Sequence, residues 1–373
     1  MGFEIRRVTT PADTDQFIRL PWNIYSDYPC WIPPLISERK RFLNPEVNPF
    51  FEHADVDLFL VWSEGGTSVG RIACIHDRSF IEHCSEKAGC FGLFESIDEQ
   101  KVADLLLDRA FNWSREKGLA KILGPMNMST NHECGLLIEG YESPPMLGIP
   151  YNPPYYKKLF ERWGLHKAKE LLSLKLDLVQ IPGYLEQSAL KLGKRDRFSI
   201  RPLRLDRFEE EMGILWDIYV SAWDRNWGFV PMNRKEFFFL AKEVKSIIQP
   251  EFCLIAHVGN EPAGFAWSLP NANQVLKVLN GRLFPFGWAR FLWNRNKINT
   301  YRVLTVGVKK KYRRLGIDAY FYYELYKQFL LRKISWCDMS WVLEDNQDIL
   351  APMHRIGGTT YKRHRIYERA CTS

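Results

Sequence analysis

No apolar run in this chain approaches the ~20 residues that a bilayer-spanning helix needs. The sequence therefore predicts no membrane span. The opening Met-Gly-Phe-Glu-Ile-Arg-Arg lacks an apolar signal core, so no secretory leader is expected. No run of five Lys or Arg occurs, and no zinc-finger, RRM or helix-turn-helix signature stands out, so nucleic acid is not an expected partner. The eight cysteines form no Cys-x-x-Cys pair, which predicts reduced thiols and a cytoplasmic location, with the inner membrane surface as the other place to look. His76, His83, Cys84 and Cys90 cluster, but their spacing fits no zinc pattern, and no metal is expected.

What is abundant is aromatic: 13 Trp, 16 Tyr and 24 Phe in 373 residues. Such side chains fill cores, line apolar clefts and suit membrane interfaces. A net charge of +7 favours anionic ligands such as phosphates, CoA or acidic lipid surfaces. The length allows two cores.

The chain repeats itself. Ile5-Arg6-Arg7 returns as Ile200-Arg201-Pro202, and Trp22-Asn23-Ile24-Tyr25 as Trp216-Asp217-Ile218-Tyr219. Segment 58–70 returns as 252–264, and 160–169 as 353–362, all at offsets of 193–195 in the same order. Each half reads β-α-β-β-β-α-β-α-β, with hairpin turns at Gly65-Gly66 and Gly259-Asn260 and long helices near 102–117 and 319–332. The expected class is α/β (α+β): a mixed sheet flanked by helices in each half. Residues 1–180 form one domain, 181–196 a linker marked by Pro182-Gly183 and a basic run through Arg195, and 197–373 the second domain.

In the second half, strand 303–308 runs into Lys309-Lys310-Lys311-Tyr312-Arg313-Arg314-Leu315-Gly316-Ile317-Asp318 and then a helix. A helix N-terminus with unpaired N–H groups, a glycine and clustered cations is a ready diphosphate site. The alternative is a solvated basic turn before a surface helix. Strand, basic turn, Arg-x-x-Gly and helix resemble the acyl-CoA loop of the GNAT N-acyltransferase superfamily. The resemblance implies acyl-CoA as co-substrate, held by Val306, Gly307, Val308 and Arg313, Arg314, Leu315, Gly316, Ile317, Asp318. Asp318 departs from the family's small residue at that place.

Trp341-Val342-Leu343-Glu344-Asp345-Asn346, with Gly357 eleven residues on, resembles the family's later strand–helix–strand. Asn346 is then a ligand of pantetheine or of the strand backbone, or an N-cap. Met353 stands where the family's usual Tyr acid would be, so His354, Tyr361 and Tyr367 are the remaining acid candidates. Candidate bases for the amine are Glu344, Asp345, His354 and Glu133. A backbone N–H of 306–308 would meet the thioester oxyanion, with Gly307 marking a bulge.

The first half lacks the loop: its equivalent stretch, 91–99, carries Glu95, Asp98 and Glu99 and no Arg-x-x-Gly. That half is expected to supply substrate contacts from the polar loop with Asn131, His132 and Glu133. An insertion at 281–295 in the second half interleaves Trp288 and other aromatics with Arg, suiting a membrane surface, an acyl-chain tunnel or a packed hairpin. More loosely, the chain resembles bacterial GNAT-type ceramide synthases, which implies a long-chain acyl donor and a lipid amine. Small-amine acetyl transfer and a non-catalytic CoA- or lipid-binding protein are the alternatives.

Overall fold

The computed structural model describes residues 2–194, 197–222 and 227–371. Arg195 and Asp196, the end of the expected linker, lie outside them. The first half contains β1 (Phe3–Arg7), α1 (Pro11–Ile24), α2 (Ile36–Phe42), β2 (Ala54–Ser63), β3 (Ser68–Asp77), α3 (Arg78–Cys84) and β4 (Ala88–Ser96). It continues through α4 (Gln100–Glu116), β5 (Lys121–Gly124), β6 (Leu136–Glu139), α5 (Tyr155–Trp163) and β7 (His166–Asp177). The second half follows α6 (Gly183–Gly193) with β8 (Phe198–Pro202), α7 (Phe208–Ala222), α8 (Arg234–Val244), β9 (Cys253–Val258) and β10 (Glu261–Pro270). Then come α9 (Asn273–Leu279), α10 (Gly287–Asn294), β11 (Thr300–Val308), α11 (Ile317–Leu331), β12 (Trp336–Leu343), α12 (Gln347–Arg355) and β13 (Thr359–Ala370). The repeated element order is thus observed, with additions in each copy.

Local chemistry sets the helix ends. Thr10 caps α1 in a capping box with Asp13, and Asn233 does the same for α8 with Glu236. Helices α5 and α12 both stop on a left-handed glycine, Gly164 and Gly357, each at φ 95°, where a side chain would be strained.

The compact units are not the two repeats. One unit comprises Met1–Leu172, Asn273–Asn296 and Lys362–Ser373; the other comprises Ser173–Ala272 and Lys297–Tyr361. In the first unit, β1, β2, β3 and β4 pair antiparallel in sequence, β4 runs parallel to β5, and β13 pairs antiparallel with β5 and β6. Its core gathers Val61, Ile72, Phe91, Leu106, Phe160 and Tyr367. In the second, β8, β9, β10 and β11 pair antiparallel, β11 runs parallel to β12, and the tail of β7 neighbours β12. Each unit thus completes its sheet with the last strand of the other repeat. Segment 181–196, expected as a linker, carries α6, which buries Leu185, Ala189 and Leu192 and packs on α11. Its apolar positions are spaced i, i+4, i+7, a signal masked by the preceding Pro182-Gly183.

Candidate functional site

Because β11 and β12 are parallel, the segments leaving their C-terminal ends emerge on one edge of the second unit's sheet, where open α/β sheets bind ligands. These segments hold the basic loop after Val308 and the Glu344–Asn346 turn. The parallel ladder's last pair is Val303 with Met339. One residue later β11 bulges: against β10, Trp267 pairs with Thr305 but Ser268 with Val303, which sets Leu304 outside the register. Leu304 stands exposed. The bulge expected at Gly307 therefore falls at Leu304; Gly307 itself pairs regularly with Phe265.

Beyond the strand, Lys310–Tyr312 makes one 3₁₀ turn, Arg314 and Gly316 take left-handed backbone (φ 68° and 85°), and α11 begins. No side chain caps α11, and a Cβ at Gly316 would meet nothing within 4 Å. The helix thus opens onto free space with its first N–H groups uncapped, the property an anion site requires. The cations around it are not all idle. Glu261 pairs with Lys311 at 2.6 Å and Lys309 at 3.7 Å and accepts a hydrogen bond from Tyr312; the Lys311 bond foremost holds its carboxyl below the usual value. Arg313 donates to the Ala222 carbonyl at 2.5 Å. Asp318 is an exposed first-turn acid, favourable to the helix dipole.

Asn346 occupies the N-cap position of α12 yet makes no side-chain capping bond. Glu344 is half-buried just past β12. His354 is exposed, and its Nδ1 lies 2.9 Å from the Gly358 carbonyl, closing the end of α12. Met353 is buried in the second unit.

One cluster was not foreseen. Arg302 of β11 and Asp338 of β12 are cross-strand partners, both buried, at the last rungs before the ladder ends. Tyr361 donates to Asp338 at 2.6 Å, the Ser340 hydroxyl donates to the same carboxylate, and Arg302 donates to the Ser340 carbonyl at 3.2 Å. The Arg302 guanidinium lies 5.3 Å from the Trp341 ring centre, and the buried Trp341 Nε1 has no hydrogen-bond partner. Burial first, and the Asp338 charge next, push the Tyr361 hydroxyl far above its ordinary pKa. Two charges inside otherwise apolar strands, 300–308 and 336–343, were the available signal.

The first unit keeps the same bulge but closes it. Across β3, Arg71 faces Glu95 and Ala73 faces Gly92, leaving an extra residue in β4, where Leu93 has φ 48°. The Leu93 N–H donates to Asn127 Oδ1 at 2.7 Å, and Asn127 Nδ2 donates to Glu133 at 2.9 Å. Glu133 also accepts from Arg39; burial would raise its carboxyl, but the Arg39 charge holds it low. His132 Nδ1 lies 3.1 Å from Ser129 Oγ, the Asn131 N–H donates to the same hydroxyl, and the His132 ring meets Phe42 and Phe50 edge-on. Glu95 is not in the turn as expected: it is buried in β4 and bonded to Tyr156 at 2.7 Å and Arg71 at 3.4 Å. Helix α4 is capped by Glu99, which accepts from the Lys101 N–H. Glu133, Asn131, His132 and Trp288 belong to this unit, whereas the loop, Glu344, Asn346 and His354 belong to the other.

No protein-family model matches the chain. Over 370 residues it is 35% identical to the bacterial ceramide synthase of Caulobacter vibrioides (strain NA1000 / CB15N), covering 97% of this chain and 96% of that protein. It is likewise 35% identical to Protein YghO of Escherichia coli (strain K12), over 98% of this chain and 95% of that one. The chain belongs to this family. Its fold matches a tandem GNAT protein from the clavulanic acid biosynthesis pathway at a TM-score of 0.58 and 11% identity, covering 100% of this chain and 99% of that one. The chain thus has the tandem GNAT fold.

Proposed function

We propose that this tandem GNAT protein moves an acyl group from acyl-CoA, of long chain, to the amine of a lipid, with the second unit carrying the chemistry. The observation behind this is the uncapped N-terminus of α11 beside a bulged, opening β11, against a capped α4 and an occupied bulge in the first unit. The N–H groups of Ile317 and Asp318, the approach allowed by Gly316, and Arg313, Arg314 and Leu315 would hold the diphosphate. Val306, Gly307 and Val308 would run along pantetheine, with the Asn346 carboxamide opposite.

Acyl-CoA supplies the thioester. The amine nitrogen attacks its carbonyl carbon, the C–S bond breaks, and the thiolate leaves; the amine proton passes to a base, for which Glu344 is the half-buried carboxylate nearest the strand ends. His354 is second choice, since its Nδ1 already serves Gly358. Tyr361 is committed to Asp338 and its raised pKa makes it a poor acid, so the thiolate takes up the proton that the base has accepted. The orphan Trp341 N–H is a donor suited to a ligand carbonyl. Glu133 is held by Arg39 and Asn127, which favours a supporting role over that of base.

The Caulobacter relative's name, ceramide synthase, supports a long-chain acyl group and a long-chain amine. Peripheral contact with the inner membrane surface through 281–295 would bring such an amine within reach. Calorimetry with CoA, acetyl-CoA and palmitoyl-CoA tests the reading. Wild type should bind, palmitoyl-CoA most tightly, and Gly316→Trp should lose at least about 100-fold at a temperature where it remains folded, its melting point lowered by the left-handed backbone at that position. Undiminished affinity in that variant would refute the loop assignment; preference for acetyl-CoA would refute the lipid reading.

A further inference from the structure

The insertion at 273–296 is fastened at its root and bare at its tip. Within the first unit, the Asn273 amide donates to the Pro145 carbonyl at 3.0 Å, Lys277 to the Pro29 carbonyl at 2.7 Å, and the Trp22 indole to Asn280 at 2.8 Å. The Ile36 N–H donates to the Gly281 carbonyl at 3.0 Å. Past that clamp the chain turns its aromatics outward. Phe284 is 79% exposed, Phe286 72% and Trp293 81%, with Trp288 and Leu292 also exposed along α10. Of thirteen large apolar side chains exposed among the described residues, all four Phe and Trp lie here. Such a contiguous patch in water is costly unless something covers it.

Charge says what covers it. From Asn273 to Asn296 the sequence has no acidic residue and four Lys or Arg, namely Lys277, Arg282, Arg290 and Arg295. Arg282, Arg290 and Arg295 stand exposed among the aromatics. A protein partner with an apolar pocket would not need an acid-free, cation-studded rim. An anionic bilayer would: indole and phenyl rings settle at the headgroup–acyl boundary, and guanidinium groups pair with lipid phosphates.

We propose that the tip from Phe284 to Trp293 docks on an anionic lipid surface, inserting its rings at headgroup depth. This deepens the lipid-amine reading and rests on it for purpose, though its test does not require acyl transfer. Flotation of the full-length chain with vesicles of phosphatidylcholine alone, or mixed equally with phosphatidylglycerol, decides it. The chain should bind the mixed vesicles at least about tenfold better, and lose that preference at ~0.5 M salt, where screening is strong. F284S/F286S/W293S should bind at least about tenfold more weakly, and R290Q/R295Q should lose mainly the preference for anionic lipid.

These side chains are exposed and the root is separately clamped, so unchanged melting curves should accompany both variants. If wild type fails to float with anionic vesicles, or the triple variant floats like wild type, the proposal falls. It also falls if light scattering finds a dimer that the triple variant dissociates while no vesicle binds. Palmitoyl-CoA calorimetry on the triple variant keeps the two ideas separate. Retained thioester binding with no flotation in wild type refutes docking alone; flotation without thioester binding refutes the transferase reading alone.

Discussion

Gly316 and Asn127 show one backbone problem solved in opposite ways. Gly316 leaves the entrance to α11 clear, whereas Asn127 spends its carboxamide on the bulged Leu93 N–H and on Glu133. Asn127→Ala should leave both groups short of a partner and cost about 1–3 kcal/mol, read by urea unfolding. Glu211 makes a pH prediction. It is fully buried; burial raises its carboxyl, but hydrogen bonds from Arg201 and Arg204 outweigh that and its pKa lies below the ordinary value. A depressed pKa means the stabilisation is complete above the unfolded value near ~4.3 and is lost as pH falls through the folded one. Urea midpoints should therefore fall from pH 6 to pH 3, with a smaller fall in Glu211→Gln; Glu133 and Glu170, also held low, contribute in the same direction. Glu95, raised by burial, opposes them.

Among the elements, α11 has an uncapped N-terminus that invites a charge. Asp318 lies in its first turn, where an acid stabilises the helix by about 0.3–1 kcal/mol but repels an incoming phosphate. Asp318→Ala should bind CoA a few-fold more tightly by calorimetry and melt slightly earlier; weaker CoA binding would show that Asp318 contributes to the site. Helix α6 was hidden from pattern reading by Pro182-Gly183 at its start, although Leu185, Ala189 and Leu192 carry a helical stripe. The buried Arg302–Asp338–Tyr361 set was equally visible in principle, since charges rarely sit mid-strand without a reason.

For the molecule as a whole, the compact units draw on both repeats. The first unit's sheet uses β13 from the second repeat against β5, and Lys362 donates to the carbonyls of Gly140 and Ser143. A fragment of residues 1–180 would expose the β5 edge and lose that clamp. Expressed alone, it should aggregate or unfold without a cooperative transition by circular dichroism. A cooperative melt matching the full chain would refute the composite unit.

The sequence by itself determined the duplication, the element order, the basic Arg-x-x-Gly loop before α11 and the aromatic insertion, because each is written in local spacing and residue type. It could not decide which strand completes which sheet, where β11 bulges, or that Asn127 fills the matching bulge in β4. Those outcomes depend on pairings between residues far apart in the chain, and one residue of register moves a backbone N–H from a ladder to a ligand. The sequence told the copy with the loop from the copy without it; only the tertiary structure showed how the latter's bulge is filled.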